Sequence, residues 1–322
     1  MSAGIWIGAA GAVVAVAALG ALGSYAGAKK LFDKVIPRKD GVRVNMDEMA
    51  DAQKWEEYRK IITPNREWLQ AQDPEEITIE ARDGIKLHGY FLPAEQPTDK
   101  LVIGLHGYSS IGISEFSTSA RFYHEQGFDV LIPDHRAHGQ SEGDYVGFGI
   151  LDRYDCLSWL SYIEKRFPEG RQIILHGTSM GASTALMATG FKDLTPAVKG
   201  VVADCAFTSP YDVFAHILKR DYHMPEFPIM KINSAMCRKK AGYGFADYST
   251  LKAMETNTRP CLFIHGSEDD FVPVWMSDKN FEACKAPKKL MKIEGAAHGA
   301  STYQDKERYQ AALKEFIDTY MK

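Results

Sequence analysis

Six apolar runs, each separated from the next by a pattern typical of helices, constrain the fold of this chain most strongly. They are KLVIGLHG (100–107), DVLIPDH (129–135), QIILHG (172–177), GVVADC (200–205), PCLFIHG (260–266) and KKLMKIEGA (288–296). Strands that are apolar on both faces belong to sheets covered on both sides, and strands that alternate with helices are usually joined in parallel. The sequence therefore predicts an α/β fold with a doubly wound, mostly parallel sheet.

Two stretches depart from this alternation. The segments ITIEAR (77–82) and KLHGYFLP (86–93) flank the turn residues Asp83-Gly84, which predicts a hairpin at the start of the compact domain. Residues 207 to about 250 contain three prolines and the basic sequence CRKK, and they indicate a helical insertion above the sheet. We therefore expect a domain over residues 76–322 with a helical cap inserted at about 207–250.

The N-terminus has a different character. The first 28 residues carry no charged side chain, and Gly4 to Ala28 would span about 37 Å as a helix, which is enough to cross a bilayer. Basic side chains follow this segment and none precedes it, so the positive-inside rule predicts a retained single-pass anchor in the cell membrane, with the rest in the cytoplasm. A cleaved signal peptide is the alternative, with Ala26-Gly27-Ala28 as its cleavage site. Residues 29–75 are predicted to be a helical connector.

Composition excludes several other classes of function. The net charge is −4 and no basic stripe is present, so we expect no nucleic-acid partner. The five cysteines are odd in number and form no C-x-x-C pair, which argues against both a disulfide framework and a zinc site. His135 and His138 lack a third ligand at suitable spacing, so no metal and no cofactor is predicted.

The strongest candidate for chemistry is Ser179, in the segment ILHGTSMGAS (174–183). It stands between Gly177 and Gly181, directly after a predicted strand. A sharp strand-to-helix turn of this kind presents the serine hydroxyl at the C-terminal end of a sheet. It also leaves the N–H of Met180 at a helix N-terminus, where an oxyanion could bind. Because G-x-S-x-G also occurs in ordinary glycine-rich turns, the motif alone does not identify a nucleophile. The base and the acid that would act with Ser179 have to be found as well.

A nucleophilic serine needs a base, a carboxylate that orients the base, and donors for the oxyanion. His298 in GAAHG (295–299) follows the last predicted strand and is the candidate base. Asp269 in HGSEDDFVP (265–273) is the favoured acid, while Asp204, Glu268 and Asp270 remain alternatives. The N–H of Tyr108 in LHGYSS (105–110) is the second predicted oxyanion donor. Serine, acid and histidine thus follow one another in the order that doubly wound hydrolases use.

These motifs, together with PDHRAHGQSEG (133–143), resemble those of the α/β-hydrolase superfamily over residues 77–320. The segments SPYDVFAHILKR and GYGFADYS and the apolar N-terminus are similar to a narrower branch, the membrane-associated Bem46-like and prolyl-oligopeptidase-related esterases and peptidases. The resemblance implies a serine hydrolase that forms an acyl-enzyme without a cofactor, acting on a small-molecule ester or acyl substrate. A peptidase, an acyltransferase and an inactive membrane-anchored scaffold remain open alternatives, and the sequence does not predict the oligomeric state.

Overall fold

The central sheet determines where everything else lies. The computed structural model describes residues 23–39 and 52–321. Its sheet has eight strands in the spatial order β1-β2-β4-β3-β5-β6-β7-β8. The strands are β1 (Glu75–Glu80), β2 (Lys86–Leu92), β3 (Lys100–Leu105), β4 (Asp129–Pro133), β5 (Gln172–Thr178), β6 (Val198–Asp204), β7 (Cys261–Gly266) and β8 (Lys288–Ile293). Strands β3 to β8 pair in parallel, and only β1 with β2 and β2 with β4 are antiparallel. The predicted α/β fold with a mostly parallel sheet is confirmed.

Helices cover both faces of this sheet. Residues 23–35 are helical and are named α1. The remaining helices are α2 (Ala52–Ala71), α3 (Gly112–Glu115), α4 (Ser117–Glu125), α5 (Asp152–Arg166), α6 (Met180–Ala188), α7 (Pro210–Tyr222), α8 (Ile229–Ala241), α9 (Thr250–Met254), α10 (Trp275–Ala283), α11 (Ser301–Gln304) and α12 (Lys306–Tyr320).

The alternation of side chains along β3 shows why the strands are apolar throughout. Leu101 and Ile103 point into the apolar layer that contains Trp159 of α5, and Val102 points into the opposite layer with Tyr309 of α12. All three strand residues are fully buried. Each such side chain contributes roughly 1.5–3 kcal/mol to stability through its removal from water. A continuous apolar strand is therefore the expected result of a sheet with helices on both faces.

The stretch predicted as an insertion contains α7 and α8 and the start of α9. A third apolar cluster lies beneath these helices, away from the two layers on the sheet. Phe214 of α7, Met230 of α8 and Phe245 belong to it. Met180 and Met187 of α6 belong to the same cluster, so this core joins the cap to the body of the domain.

Helix α1 supplies part of that core. Phe32 lies in the helix and Ile36 lies just beyond its end. Both side chains are buried, and both belong to the same cluster as Phe214 and Phe245. The side-chain amide of Asn233 in α8 donates a hydrogen bond of 3.0 Å to the Ala28 carbonyl oxygen. The N-terminal helix is thus packed against the cap by its apolar stripe.

This arrangement bears on the predicted membrane anchor, residues 1–28. Residues 1–22 lie outside the described residues, and residues 23–28 form the first part of α1. Among the described residues, no helix is both long enough and apolar enough to cross a membrane. Within the predicted connector, α2 packs on the body of the protein through buried side chains such as Tyr58 and Leu69.

Candidate active site

Ser179 occupies a strained turn between β5 and α6. Its backbone has φ 54° and ψ −112°, in a region that side-chain-bearing residues rarely adopt and that costs about 1–3 kcal/mol. A Cβ on Gly177 would lie 2.3 Å from the backbone of Gly181, and a Cβ on Gly181 would lie 2.0 Å from the carbonyl oxygen of Leu105. Both flanking glycines are therefore required by the close approach of β3, β5 and α6.

The serine, histidine and aspartate predicted from the sequence lie in hydrogen-bond contact. Nε2 of His298 is 2.9 Å from Oγ of Ser179, and Nδ1 of His298 is 2.7 Å from Oδ2 of Asp269. Asp269 follows β7 and His298 follows β8, and these neighbouring strands are parallel. Because parallel strands end at the same edge of a sheet, their loops bring the two side chains together beside β5.

Backbone and side-chain donors fix the carboxylate of Asp269. Its Oδ1 accepts hydrogen bonds from the N–H groups of Phe271 at 3.1 Å and Val272 at 2.9 Å. Nε2 of His265 lies 3.1 Å from Oδ2. The carboxylate is therefore held in one orientation toward the imidazole of His298.

Asp269 and His298 each stabilise the charged form of the other. Burial alone would raise the pKa of Asp269, but the charge of His298 and the hydrogen bonds from His265 and His298 outweigh burial and hold that pKa well below its usual range. Burial alone would lower the pKa of His298, but the charge and hydrogen bond of Asp269 raise it overall. An anionic Asp269 would therefore orient the ring and stabilise an imidazolium formed during reaction.

The alternative acids have other partners. Oδ1 of Asp204 accepts a 3.0 Å hydrogen bond from the Ser301 hydroxyl, and burial raises the pKa of Asp204 to about 6. Glu268 lies 3.5 Å from Lys54, and Asp270 lies 3.5 Å from Arg220. Of the four candidate carboxylates, the structure places Asp269 on the imidazole.

The predicted oxyanion donors lie on either side of Ser179. Met180 is the first residue of α6, and Tyr108 lies in the loop after β3, which pairs in parallel with β5. The phenol hydroxyl of Tyr108 donates a 3.0 Å hydrogen bond to the Val35 carbonyl oxygen, so α1 contacts this loop directly. The role of the two N–H groups stays a prediction.

Glu115 is a site residue that the sequence analysis missed. Its Oε1 accepts a 2.7 Å hydrogen bond from the N–H of Gly107. A Cβ on Gly107 would lie 3.3 Å from that oxygen and 3.5 Å from Cβ of Ser179, so carboxyl and nucleophile face the same space. Burial raises the pKa of Glu115. The motif IGISEF contains no pattern that distinguishes this glutamate from one exposed on a helix.

A second network of buried charges lies in the loop after β4. The guanidinium of Arg136 donates two hydrogen bonds to Asp155, at 2.6 and 2.7 Å, and one of 2.9 Å to Asp83. His106 accepts a 2.9 Å hydrogen bond from the backbone N–H of His135. These contacts connect the hairpin, the loop and α5, and they hold the base of the oxyanion loop.

Across residues 23–39 and 52–321, one group of side chains brings three potential metal ligands together, namely Cys205, Asp269 and His298. Asp269 and His298 already bind each other, and burial raises the pKa of the Cys205 thiol well above its usual value. A neutral thiol is a poor metal ligand. The chemistry of these donors therefore favours a hydrogen-bonded triad over a metal centre.

A mostly parallel eight-stranded sheet with a serine at a strand-to-helix turn, and with an aspartate and a histidine after the last two strands, defines the α/β-hydrolase class. The prolyl oligopeptidase family matches this sequence over residues 114–322, and the chain belongs to that family. These findings confirm the resemblance inferred from the motifs and identify a hydrolase of the α/β-hydrolase type.

Relatives of this chain span several organisms. The protein YqkD of Bacillus subtilis is 29% identical over 242 residues, which cover 75% of this chain and 78% of YqkD. The membrane protein YNL320W of Saccharomyces cerevisiae is 26% identical over 246 residues, covering 76% and 79% of the two chains. This relative agrees with the membrane-associated branch suggested by the sequence.

Solved structures show the same fold. The Pyrococcus furiosus esterase Pf2001 superposes with a TM-score of 0.63 at 25% identity, covering 79% of this chain and 95% of the esterase. The Pyrococcus horikoshii acylaminoacyl peptidase superposes with a TM-score of 0.59 at 16% identity, covering 77% of this chain and 42% of the peptidase. At that identity the second likeness concerns the fold alone.

Proposed function

We propose that this protein cleaves a carboxylic ester through an acyl-enzyme formed on Ser179. The observation that carries the proposal is the continuous set of hydrogen bonds from Ser179 through His298 to Asp269, at 2.9 and 2.7 Å. In this proposal Ser179 is the nucleophile, His298 is the general base and acid, and Asp269 orients the imidazole.

The reaction follows from these positions. Nε2 of His298 takes the hydroxyl proton as Oγ of Ser179 bonds to the ester carbonyl carbon, and the resulting oxyanion accepts hydrogen bonds from the N–H groups of Met180 and Tyr108. The bond to the alkoxide then breaks, and His298 returns the proton to the leaving oxygen. Water gives a proton to the same imidazole as it attacks the acyl-enzyme carbonyl carbon. The bond to Oγ then breaks, His298 returns the proton to Oγ of Ser179, and the carboxylic acid leaves.

An apolar acyl group suits the surroundings of the serine. Tyr108 packs on Phe148 with ring centroids 5.1 Å apart, and Phe148 packs on Phe214 of the cap at 4.8 Å. The solved structures of similar fold include esterases, which supports an ester substrate. The family name keeps a peptidase as the second candidate, and an acyltransferase would share the same acyl-enzyme.

The membrane anchor is part of this proposal. The predicted anchor, residues 1–28, would hold the protein in the cell membrane through the part before residue 23, because Ala28 is buried against the cap. The connector at 29–75 and the hydrolase domain at 76–322, with its cap at 207–250, would follow. The absence of charge from this N-terminal sequence and the yeast relative described as a membrane protein support the anchor. The basic residues that follow favour a cytoplasmic hydrolase domain.

Covalent labelling tests the proposed nucleophile. A fluorophosphonate should label the full-length protein, and Ser179→Ala should abolish that labelling. Ser301→Ala is the matched control, because Ser301 is a buried serine near the site that bonds Asp204 and should leave labelling intact. Absence of labelling in the folded wild type, under conditions where a known serine hydrolase reacts, would favour the inactive scaffold.

Rate comparison and product analysis then identify the substrate class and the acceptor of the acyl group. We expect p-nitrophenyl esters to be cleaved at least tenfold faster than peptide p-nitroanilides, compared through kcat/KM. Faster cleavage of the anilides would identify a peptidase. Transfer of the acyl group to added alcohols or amines in preference to water would identify an acyltransferase.

A further inference from the structure

The exposed large apolar side chains of the described residues are not scattered over the surface. There are five of them, between 36% and 70% exposed. We name them the aromatic rim: Tyr25, Tyr222, Phe227, Phe271 and Trp275. Single exposed rings need no explanation, but rings that follow one another around a catalytic site indicate a contact surface.

Direct contacts connect the rim to the candidate triad. The ring of Phe271 lies 5.0 Å from the ring of His298, measured between centroids. The guanidinium of Arg220 lies 5.4 Å from the Phe271 ring, and Arg220 is two residues before Tyr222 at the end of α7. Trp275 begins α10, four residues after Phe271. One part of the rim therefore borders the mouth of the site.

The other part of the rim borders α1. Nζ of Lys34 donates a 3.1 Å hydrogen bond to the Tyr222 hydroxyl. A Cβ on Gly27 would lie 3.5 Å from Cε of Met224, three residues before Phe227. Tyr25 precedes Gly27 by two residues on α1, which places the two on opposite faces of the helix. The rim thus runs from the triad to α1, the helix that directly follows the uncharged N-terminal sequence.

Charge does not explain this surface. Lys29 pairs with Asp33, and Arg220 pairs with Asp221, so two of the cations near the rim are balanced by neighbouring carboxylates. Lys279 lies 4.7 Å from the Trp275 ring. Trp and Tyr rings beside long cationic side chains are the composition found at membrane–water interfaces.

We propose that the aromatic rim lies at the headgroup level of a lipid bilayer, and that the ester cleaved at Ser179 is a lipid resident in that bilayer. The second half of this inference rests on the proposed function. The bilayer is chosen over a protein partner because the apolar sequence before residue 23 leads to this rim. Lys34 bonds Tyr222 of the rim, and the adjacent Val35 accepts a hydrogen bond from Tyr108, so the predicted oxyanion loop lies close to the rim and hence to the proposed bilayer surface.

Hydrolysis of two substrates tests the proposal. The full-length protein, reconstituted in phosphatidylcholine vesicles, is given soluble p-nitrophenyl acetate or a fluorogenic long-chain diacyl ester dissolved in the bilayer. Phe227→Ser combined with Trp275→Ser should lower kcat/KM for the bilayer ester at least tenfold and change that for the soluble ester less than twofold. The control pair is Lys285→Ser and Glu164→Ser, two exposed positions outside the rim, which should change neither rate.

A second measurement separates this inference from the proposed function. Brominated phosphatidylcholine should quench Trp275 fluorescence, so Trp275→Phe should lose part of the quenching seen for the wild type. Equal quenching in both proteins would overturn the docking surface, as would an unchanged rate on the bilayer ester in the double variant. Quenching without hydrolysis of either ester would leave the docking surface standing and contradict the proposed function and the lipid substrate. Association of two chains through Trp275 without lipid, detected by sedimentation, would assign the rim to a second copy and overturn the proposal.

Discussion

The protein contains two networks of charged side chains at the same edge of its sheet, and they differ in how they end. In the first, Asp269 and His298 lead to the hydroxyl of Ser179. In the second, Arg136 is held between Asp155 and Asp83 at distances of 2.6–2.9 Å, and the network closes on itself. In both networks a nitrogen-containing side chain forms hydrogen bonds with carboxylates at similar distances. A charged hydrogen-bonded pair therefore indicates catalysis only where its hydrogen bonds lead to a reactive atom that a substrate can reach.

The largest expected effect comes from removing that atom. Ser179→Ala should lower kcat by about 10⁶-fold, if this triad behaves like the subtilisin triad dissected by mutagenesis. The protein should stay folded, because the loss is one hydroxyl group. Single-turnover assays and circular dichroism measure the two properties, and residual activity within a hundredfold of the wild type would contradict the proposed nucleophile.

The next effect distinguishes the acid of the first network from its neighbour. Asp269→Asn should lower kcat by about 10⁴-fold, because an amide favours the wrong tautomer of His298. Asp204→Asn is the matched control and should change kcat less than tenfold, since its amide oxygen still accepts the Ser301 hydrogen bond. If steady-state assays showed the same loss of kcat in both variants, Asp269 would not be assigned as the acid of the triad.

The second network should affect stability instead of turnover. Arg136→Met leaves the buried carboxylate of Asp155 without its partner and should lower the free energy of unfolding by about 3–5 kcal/mol. The control is Arg166→Met, whose partner Glu75 is exposed and which should cost no more than about 1 kcal/mol. Urea unfolding gives both values. A large loss of kcat per folded Arg136→Met molecule would show that this network also serves the reaction.

The smallest expected effect concerns pH. A general base must be neutral, and the pKa of His298 is raised above its ordinary value of 6.5 by Asp269 against the opposing effect of burial, so kcat/KM should fall as pH decreases through that raised pKa. Glu115 adds a negative charge that raises the same pKa. Glu115→Gln keeps an acceptor for Gly107 and should move this acid limb to lower pH, with kcat changed less than tenfold.

The pH profile of the conservative variant also separates two roles of Glu115. Glu115→Ala removes the acceptor as well as the charge, and it should lower kcat more than Glu115→Gln while moving the acid limb in the same direction. If neither variant moves the limb, the charge of Glu115 does not reach His298.

The sheet and the triad could be predicted because their signals are local. Six strands of the sheet are marked by apolar runs, β1 and β2 are marked by the turn between them, and Ser179 is marked by the two glycines that its turn requires. Asp269 could be preferred over Asp204 from its loop pattern, but only the position of the imidazole separates the two.

The contacts of α1 could not be predicted, because its partners are distant in sequence. The bond from Gly107 to Glu115 spans only eight residues, but no pattern around Glu115 marks it as buried. Phe32 packs in the same cluster as Phe214 and Phe245, which come more than 180 residues later, and nothing near Phe32 marks that contact. From the sequence, residues 23–28 are expected to be the end of an apolar membrane span. In the structure, the helix that contains them packs on the cap.

The packing of α1 has a practical consequence for anyone who produces this protein without its apolar N-terminus. A shortened chain that begins after Ile36 would open the interior of the cap to water, because Phe32 and Ile36 cover Phe214 and Phe245 there. Such a product should aggregate during purification. Recombinant versions should therefore start no later than residue 23, where the described helix begins.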